Sequence, residues 1–237
     1  MRQKLKTRLF TIALFLLLMP VICAIIFIGA LRWIDPITSS VMLQNNIHSV
    51  WSGAHEFAKY QWHDWDQISG HAAVAVIAAE DQRFPAHFGI DFNELLHVIA
   101  SAITADSERP RGASTITQQV AKNLFLWSGR SYLRKALEAG LAVLIELMWS
   151  KQRILEVYLN IAQMGDNLFG IGAASAFYYH KTPEQLNRHE AARIAAVLPN
   201  PTQYSVLHPS AFVVKRQRWI LKQMAQLGGK KLLEQLD

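Results

Sequence analysis

No charged residue interrupts the chain from Phe10 to Leu31, a run of 22 residues that is apolar almost throughout. The pattern changes at Ser69. From there apolar residues return every three or four positions, the spacing of helices with one buried face. Ser69 is placed to cap a helix carrying Val74, Ile77 and Ala78 and ending at Glu80 and Asp81. Asp91 caps the next, Phe92 to Thr104, with Leu95, Val98 and Ile99 inward. Residues 106–112 are charged and contain Pro110 and Gly112, so they form a loop. Ser114 to Phe125 returns to helix, broken by Trp127 to Ser131. Ser131 then caps Tyr132 to Trp149, and Ser150 begins Lys151 to Gln163. Gly165-Asp166-Asn167 turns the chain into a short helix, Gly172 to Tyr179. Thr182-Pro183-Glu184 starts one more segment, followed by Asn187 to Leu198, which Pro199-Asn200-Pro201 stops. Ala211 to Leu227 is a final amphipathic helix. No strand alternation extends beyond a residue or two, and there are no repeats. The pattern predicts a mainly α domain over 68–237, behind a tail at 1–9, an apolar helix at 10–31 and a stalk at 32–67.

The apolar run has the length of a membrane-spanning helix, for which about 20 residues suffice. A cleaved signal peptide is the rival reading. Its apolar region would be about 7–15 residues and end in small residues. This run is longer, and it exits through Leu31-Arg32-Trp33. Arg2, Lys4, Lys6 and Arg8 precede it with no acid among them, which sets the N-terminus in the cytoplasm and the bulk of the chain outside. Pro20 within the span is a candidate kink. Trp33, Trp51, Trp62 and Trp65 suit a membrane interface or packing on the domain; both readings stand. Cys23 is the single cysteine and lies in the span, so the outer part needs no disulfide.

Charge excludes more than it proposes. The chain carries +6, and the four basic residues of the tail account for all but +2, too little for a nucleic-acid partner. No Ser-x-x-Lys occurs, so acyl-serine transpeptidase chemistry lacks its signature. His55-Glu56 and His189-Glu190 begin zincin-like patterns, but Lys59 and Arg193 stand where the second His belongs. Gly170-Ile171-Gly172 has no preceding strand pattern and reads as helix packing.

What remains is concentrated between Glu80 and Asn123. An acidic pair closes an Ala/Val/Ile helix, and a Gly-led turn then gathers hydroxyls, amides and a lysine. Carboxylates facing such a cationic, donor-rich turn suit a sugar-phosphate substrate. Glu80-Asp81-x-x-Phe84-x-x-His87-x-Gly89 resembles the first signature of glycosyltransferase family 51, the peptidoglycan glycosyltransferases. Gly112-x-Ser114-Thr115-Ile116-Thr117-Gln118-Gln119-x-x-Lys122-Asn123 is similar to the second, and Arg134-Lys135-x-x-Glu138 to the third. Ile154-Leu155-Glu156-x-Tyr158-Leu159-Asn160 resembles the fourth. Glu190-Ala191-Ala192 through Leu198-Pro199-Asn200-Pro201 resembles the fifth. The five blocks lie in the family's order over roughly 68 to 205, and the resemblance is to its monofunctional members, which lack a transpeptidase domain.

The resemblance implies a lysozyme-like helical fold with a membrane-dipping lobe. The implied substrate is lipid II, added to a growing lipid-linked strand with release of undecaprenyl diphosphate. The setting it implies is the outer face of a bacterial inner membrane, in cell-wall and cell-shape biogenesis, beside wall-synthesis or division proteins. A sugar hydroxyl needs a carboxylate base to take its proton, and the family's base matches Glu80. The departing pyrophosphate needs its charge neutralised. Lys122, Arg130, Arg134 and Lys135 supply cations, and a divalent Mg or Mn ion could share that load. The family's phosphate contacts match Lys122 and Arg130, and Glu138 matches its second essential carboxylate. Glu138 either positions substrate or holds the cations of its own helix face. Asp81 either contacts substrate or caps. Ser114, Gln118 and Gln119 either contact substrate or pave a helix N-terminus. Phe84 and His87 are expected to anchor their loop, and Glu156, Tyr158 and Asn160 to serve the structure. Phe88, Leu124, Phe125, Leu126 and Trp127 either dip into lipid or pack in the core. Two other functions fit a helical scaffold: a glycan hydrolase, which needs a general acid rather than four cations, and a non-catalytic tether.

Overall fold

In the computed structural model of the protein the described residues are 2–94, 96, 114–129 and 131–236; the side chains at 2, 3, 5–7, 9–11, 13, 14, 16 and 17 are excluded. Two units divide the chain, Met1–Asp35 and Pro36–Asp237. The first is α1, Arg2–Ala30, a single helix that runs through Pro20, followed by a turn. Among the described residues no helix is long and apolar enough to cross a membrane; the unbroken stretch of described side chains in α1 begins at Leu18.

The second unit opens with a helix that the pattern analysis places in a stalk. This is α2, Ser40–Trp51. The Ser39 hydroxyl accepts from the Met42 amide and caps the helix. The reason it escapes periodicity is that its polar side chains face the protein. Gln44 donates to the Leu126 carbonyl and accepts from the Ser128 amide. Asn45 donates to Asn167, and Asn46 accepts from the Ala58 amide. Leu43, Ile47, Val50 and Trp51 are left exposed, the reverse of an ordinary surface helix.

Three very short strands form a sheet ordered β1–β3–β2: β1 Lys59–Tyr60, β2 Gln163–Gly165 and β3 Leu168–Phe169. β1 pairs in parallel with β3, and β2 pairs antiparallel with it through an irregular register. The helix predicted to reach Gln163 stops at Ile161 because Gln163 enters β2.

The centre is α3, Gly70–Glu80, whose residues Ala72 to Ala78 are all buried. A helix apolar on every side must be covered on every side. α3 is covered by α8 (Arg188–Val197), α9 (Ala211–Gln226) and a final 3-10 turn, Gly229–Gln235. α4 (Ile116–Phe125) packs on α5 (Tyr132–Met148) and α6 (Lys151–Ile161), and α6 meets α7 (Gly170–Tyr179). Ser69 and Ser131 cap the helices expected of them, while Ser150 and Asn187, read as helix starts, stand one position outside as caps. Asp91 accepts from the amides of Asn93 and Glu94 as a cap should; beyond position 96 the helix predicted there, and the 106–112 loop, lie outside the described residues.

Candidate active site

Glu80 is the last residue of α3, and the chain is bolted down immediately after it. The Asp81 carboxylate accepts from the Ile116 amide at 3.0 Å and from His87 Nε2 at 2.9 and 3.0 Å. It thereby caps the end of α3 onto the positive N-terminus of α4. Both of its oxygens are used within the protein and its side chain is buried, the arrangement of a cap. Phe84 is fully buried and His87 is held by Asp81, as loop anchors are.

The first turn of α4 is a capping box. Thr115 accepts from the Gln118 amide, and the Gln118 side chain accepts from the Thr115 amide. The Thr115 hydroxyl also donates to the Gly89 carbonyl at 2.6 Å. Gln118 is therefore buried in the cap, while Gln119, one position on, turns to the site. Its Nε2 donates to Glu80 Oε2 at 3.0 Å, and its Oε1 accepts from the Tyr158 hydroxyl at 3.1 Å.

On the other side, Arg216 donates to Glu80 Oε1 at 3.3 Å and to the Ala79 carbonyl at 3.2 Å. Arg216 is absent from the sequence reading, which sees α9 only as amphipathic. A signal was present: it falls three after Val213 and four before Ile220, both buried, so an arginine sits on the inward stripe. Glu80 itself is 15% exposed. Burial raises its pKa above the ordinary carboxylate value; the Gln119 hydrogen bond and the Arg216 charge pull it down, and Asp81 pushes it up. The result is a carboxylate more basic than usual.

A second cluster lies on α5. Glu138, 3% exposed, accepts from Arg134 Nη1 at 2.6 Å and from Lys135 Nζ at 2.5 Å. Lys135 also donates to the Ser114 hydroxyl at 2.7 Å. Lys122, on α4, links the clusters. Burial lowers its pKa; Glu138 raises it, Arg134 and Lys135 lower it, and Glu80 raises it. Its charge therefore interacts with both carboxylates. The Nε atoms of Arg134 and Arg216 are buried donors with no acceptor among the described residues. Arg130 lies outside the described residues.

The fourth block is chiefly structural. Glu156 accepts from the Trp65 amide and from Arg153, and Asn160 exchanges hydrogen bonds with both backbone groups of His63. Of the apolar candidates, Phe88 and Trp127 are exposed while Leu124 and Leu126 are buried. Taken together, the geometry offers one buried carboxylate of raised pKa and a second carboxylate paired with two cations, with Lys122 influenced by both.

The transglycosylase family model matches residues 46–225. A biosynthetic peptidoglycan transglycosylase of Escherichia coli O1:K1 is 49% identical over 225 residues, 93% of each chain. One from Chromohalobacter salexigens is 46% identical over 213 residues, 90% of each chain.

Proposed function

Since the chain belongs to the transglycosylase family, we propose that it polymerises lipid II into β-1,4-linked glycan strands for the bacterial cell wall. Glu80 removes the proton from the acceptor sugar hydroxyl as that oxygen attacks C1 of the donor. The bond from C1 to the phosphate oxygen breaks in the same displacement, so C1 inverts and undecaprenyl diphosphate departs with the electron pair. Lys122, Arg130, Arg134 and Lys135 neutralise the charge that develops there. Glu138, with both oxygens on cations, holds Arg134 and Lys135 in place; Ser114 steadies Lys135. The single observation that carries this reading is the buried Glu80, gripped by Gln119 and Arg216.

The donor set does not suit a resident divalent ion. Asp81, Glu80 and Glu138 are each already engaged by donors of the protein. Mg or Mn would be held chiefly by the pyrophosphate oxygens, and no step is assigned to it.

The wider fold and setting follow the same reading: a lysozyme-like helical domain that begins at Pro36 rather than at 68, anchored in the inner membrane by residues 10–31 with 1–9 in the cytoplasm. Support comes from the uncharged run at Phe10 to Leu31 and from the exposed Leu43, Ile47, Val50, Trp51, Trp127 and Leu133, which suit a lipid interface better than water. Wall-synthesis or division proteins are natural neighbours there.

The test is the purified chain with labelled lipid II, wild type beside Glu80→Gln, with product sizing and a parallel wall-lysis assay. The variant is expected to lose about 10²–10⁴-fold in rate while staying folded. Lysis without polymer would establish a hydrolase instead. Full polymerisation by Glu80→Gln would remove Glu80 from the mechanism.

A further inference from the structure

We infer that Tyr158 is a positioning residue for Glu80, acting through the side-chain amide of Gln119; the inference rests on the reading of Glu80 as the base. A glutamine amide can flip about its last bond and exchange its NH₂ for its carbonyl oxygen. In one orientation Gln119 donates to Glu80. In the other an oxygen faces the carboxylate, and two acceptors meet where a donor is needed. Tyr158 decides between them. Its hydroxyl, on α6, donates to Gln119 Oε1 at 3.1 Å, which leaves Nε2 directed at Glu80 Oε2 at 3.0 Å.

The tyrosine is suited to being a permanent donor. It is 1% exposed, so it cannot swing away. Burial, reinforced by the negative charges of Glu80 and Asp81 and only partly offset by Arg216, raises its pKa well above the ordinary value and keeps the proton on. Among the described residues the charged groups that shift Glu80 are Arg216 from α9 and Asp81 from its own helix end, and Lys122 of α4 is in turn influenced by Glu80. Of the two side chains that donate to Glu80 among the described residues, Arg216 can only donate; Gln119 has an orientation to lose.

Tyr158→Phe removes the hydroxyl and keeps the ring in its packing. Without the lock Gln119 no longer donates reliably, and Glu80 becomes harder to ionise. The acidic limb of the pH–kcat profile should move to higher pH. On that limb kcat should fall roughly three- to tenfold, a shift of up to about one pH unit. KM for lipid II should hold, and kcat should recover at high pH. Infrared difference titration of the full chain, with the Glu80 band assigned by its loss in Glu80→Gln, should show the carboxyl titrating at higher pH in Tyr158→Phe. Gln119→Leu should move the same limb at least as far, and adding Tyr158→Phe to it should move it no further. If Tyr158→Phe does not fold, the same shift in Gln119→Leu alone carries the test, and its absence overturns the proposal. An unchanged limb and an unchanged Glu80 titration in folded Tyr158→Phe would overturn it with the base reading intact. An active Glu80→Gln would instead overturn the base reading itself.

Discussion

Glu80 has lost most of its water and has received two protein donors in exchange, Gln119 and Arg216. Burial is the larger influence, so its folded pKa stands above its unfolded one. For a carboxyl raised in this way, the stabilising contribution is complete below the unfolded pKa, about pH 4. It is lost as pH rises through the folded value. Glu80→Gln, which mimics the protonated form, should therefore melt a few degrees above wild type at neutral pH, and the gap should close toward pH 4; thermal unfolding at a series of pH values measures it. Arg216→Gln removes a charge that favours the ionised carboxylate, so the acidic limb of the rate profile should move to higher pH, as a pH-resolved polymerisation assay would show.

Elements differ in how much of themselves they write into the chain. The caps at Ser69 and Ser131, and the helix starts at Ser150 and Asn187, were legible because each capping hydrogen bond closes within three residues. Glu80 at a helix end, and Arg134, Lys135 and Glu138 on one face of α5, were legible for the same local reason. α2 was not, because Gln44, Asn45 and Asn46 find their partners across the fold and invert its polarity. β1 to β3 are two or three residues each, too short to alternate. Arg216 belongs to none of the five blocks; only the packing of α9 on α3 brings it to Glu80. The joint between β3 and α7 shows how tightly an element end can be specified. Gly170 has φ +81°, and a Cβ there would stand 2.2 Å from the Asn160 carbonyl oxygen. Gly170→Ala should cost at least about 2 kcal/mol, through the left-handed backbone and a clash with main chain that has nowhere to go; chemical denaturation reads it directly.

At the scale of the molecule, one buried ion pair joins the segments around the site. Lys151 on α6 donates to Glu146 of α5 at 2.7 Å and to the His87 carbonyl at 2.6 Å, with its ammonium 4.5 Å from the Phe84 ring centroid. Thr117 of α4 donates to the same Glu146 oxygen. Lys151→Met would leave Glu146 buried without its counter-charge, at about 3–5 kcal/mol. Lys151→Met with Glu146→Met should recover most of that loss, and a double-mutant cycle in urea measures the coupling. The residues that grip Glu80 are also far apart in order of manufacture. Gln119 follows it by 39 positions and Arg216 by 136. A ribosome adding about 5–20 residues per second needs on the order of ten seconds to travel from one end of that grip to the other. For most of that interval the nascent chain carries Glu80 with Gln119 made and Arg216 still to come, so the grip on the acid closes only once α9 has been made and has packed on α3.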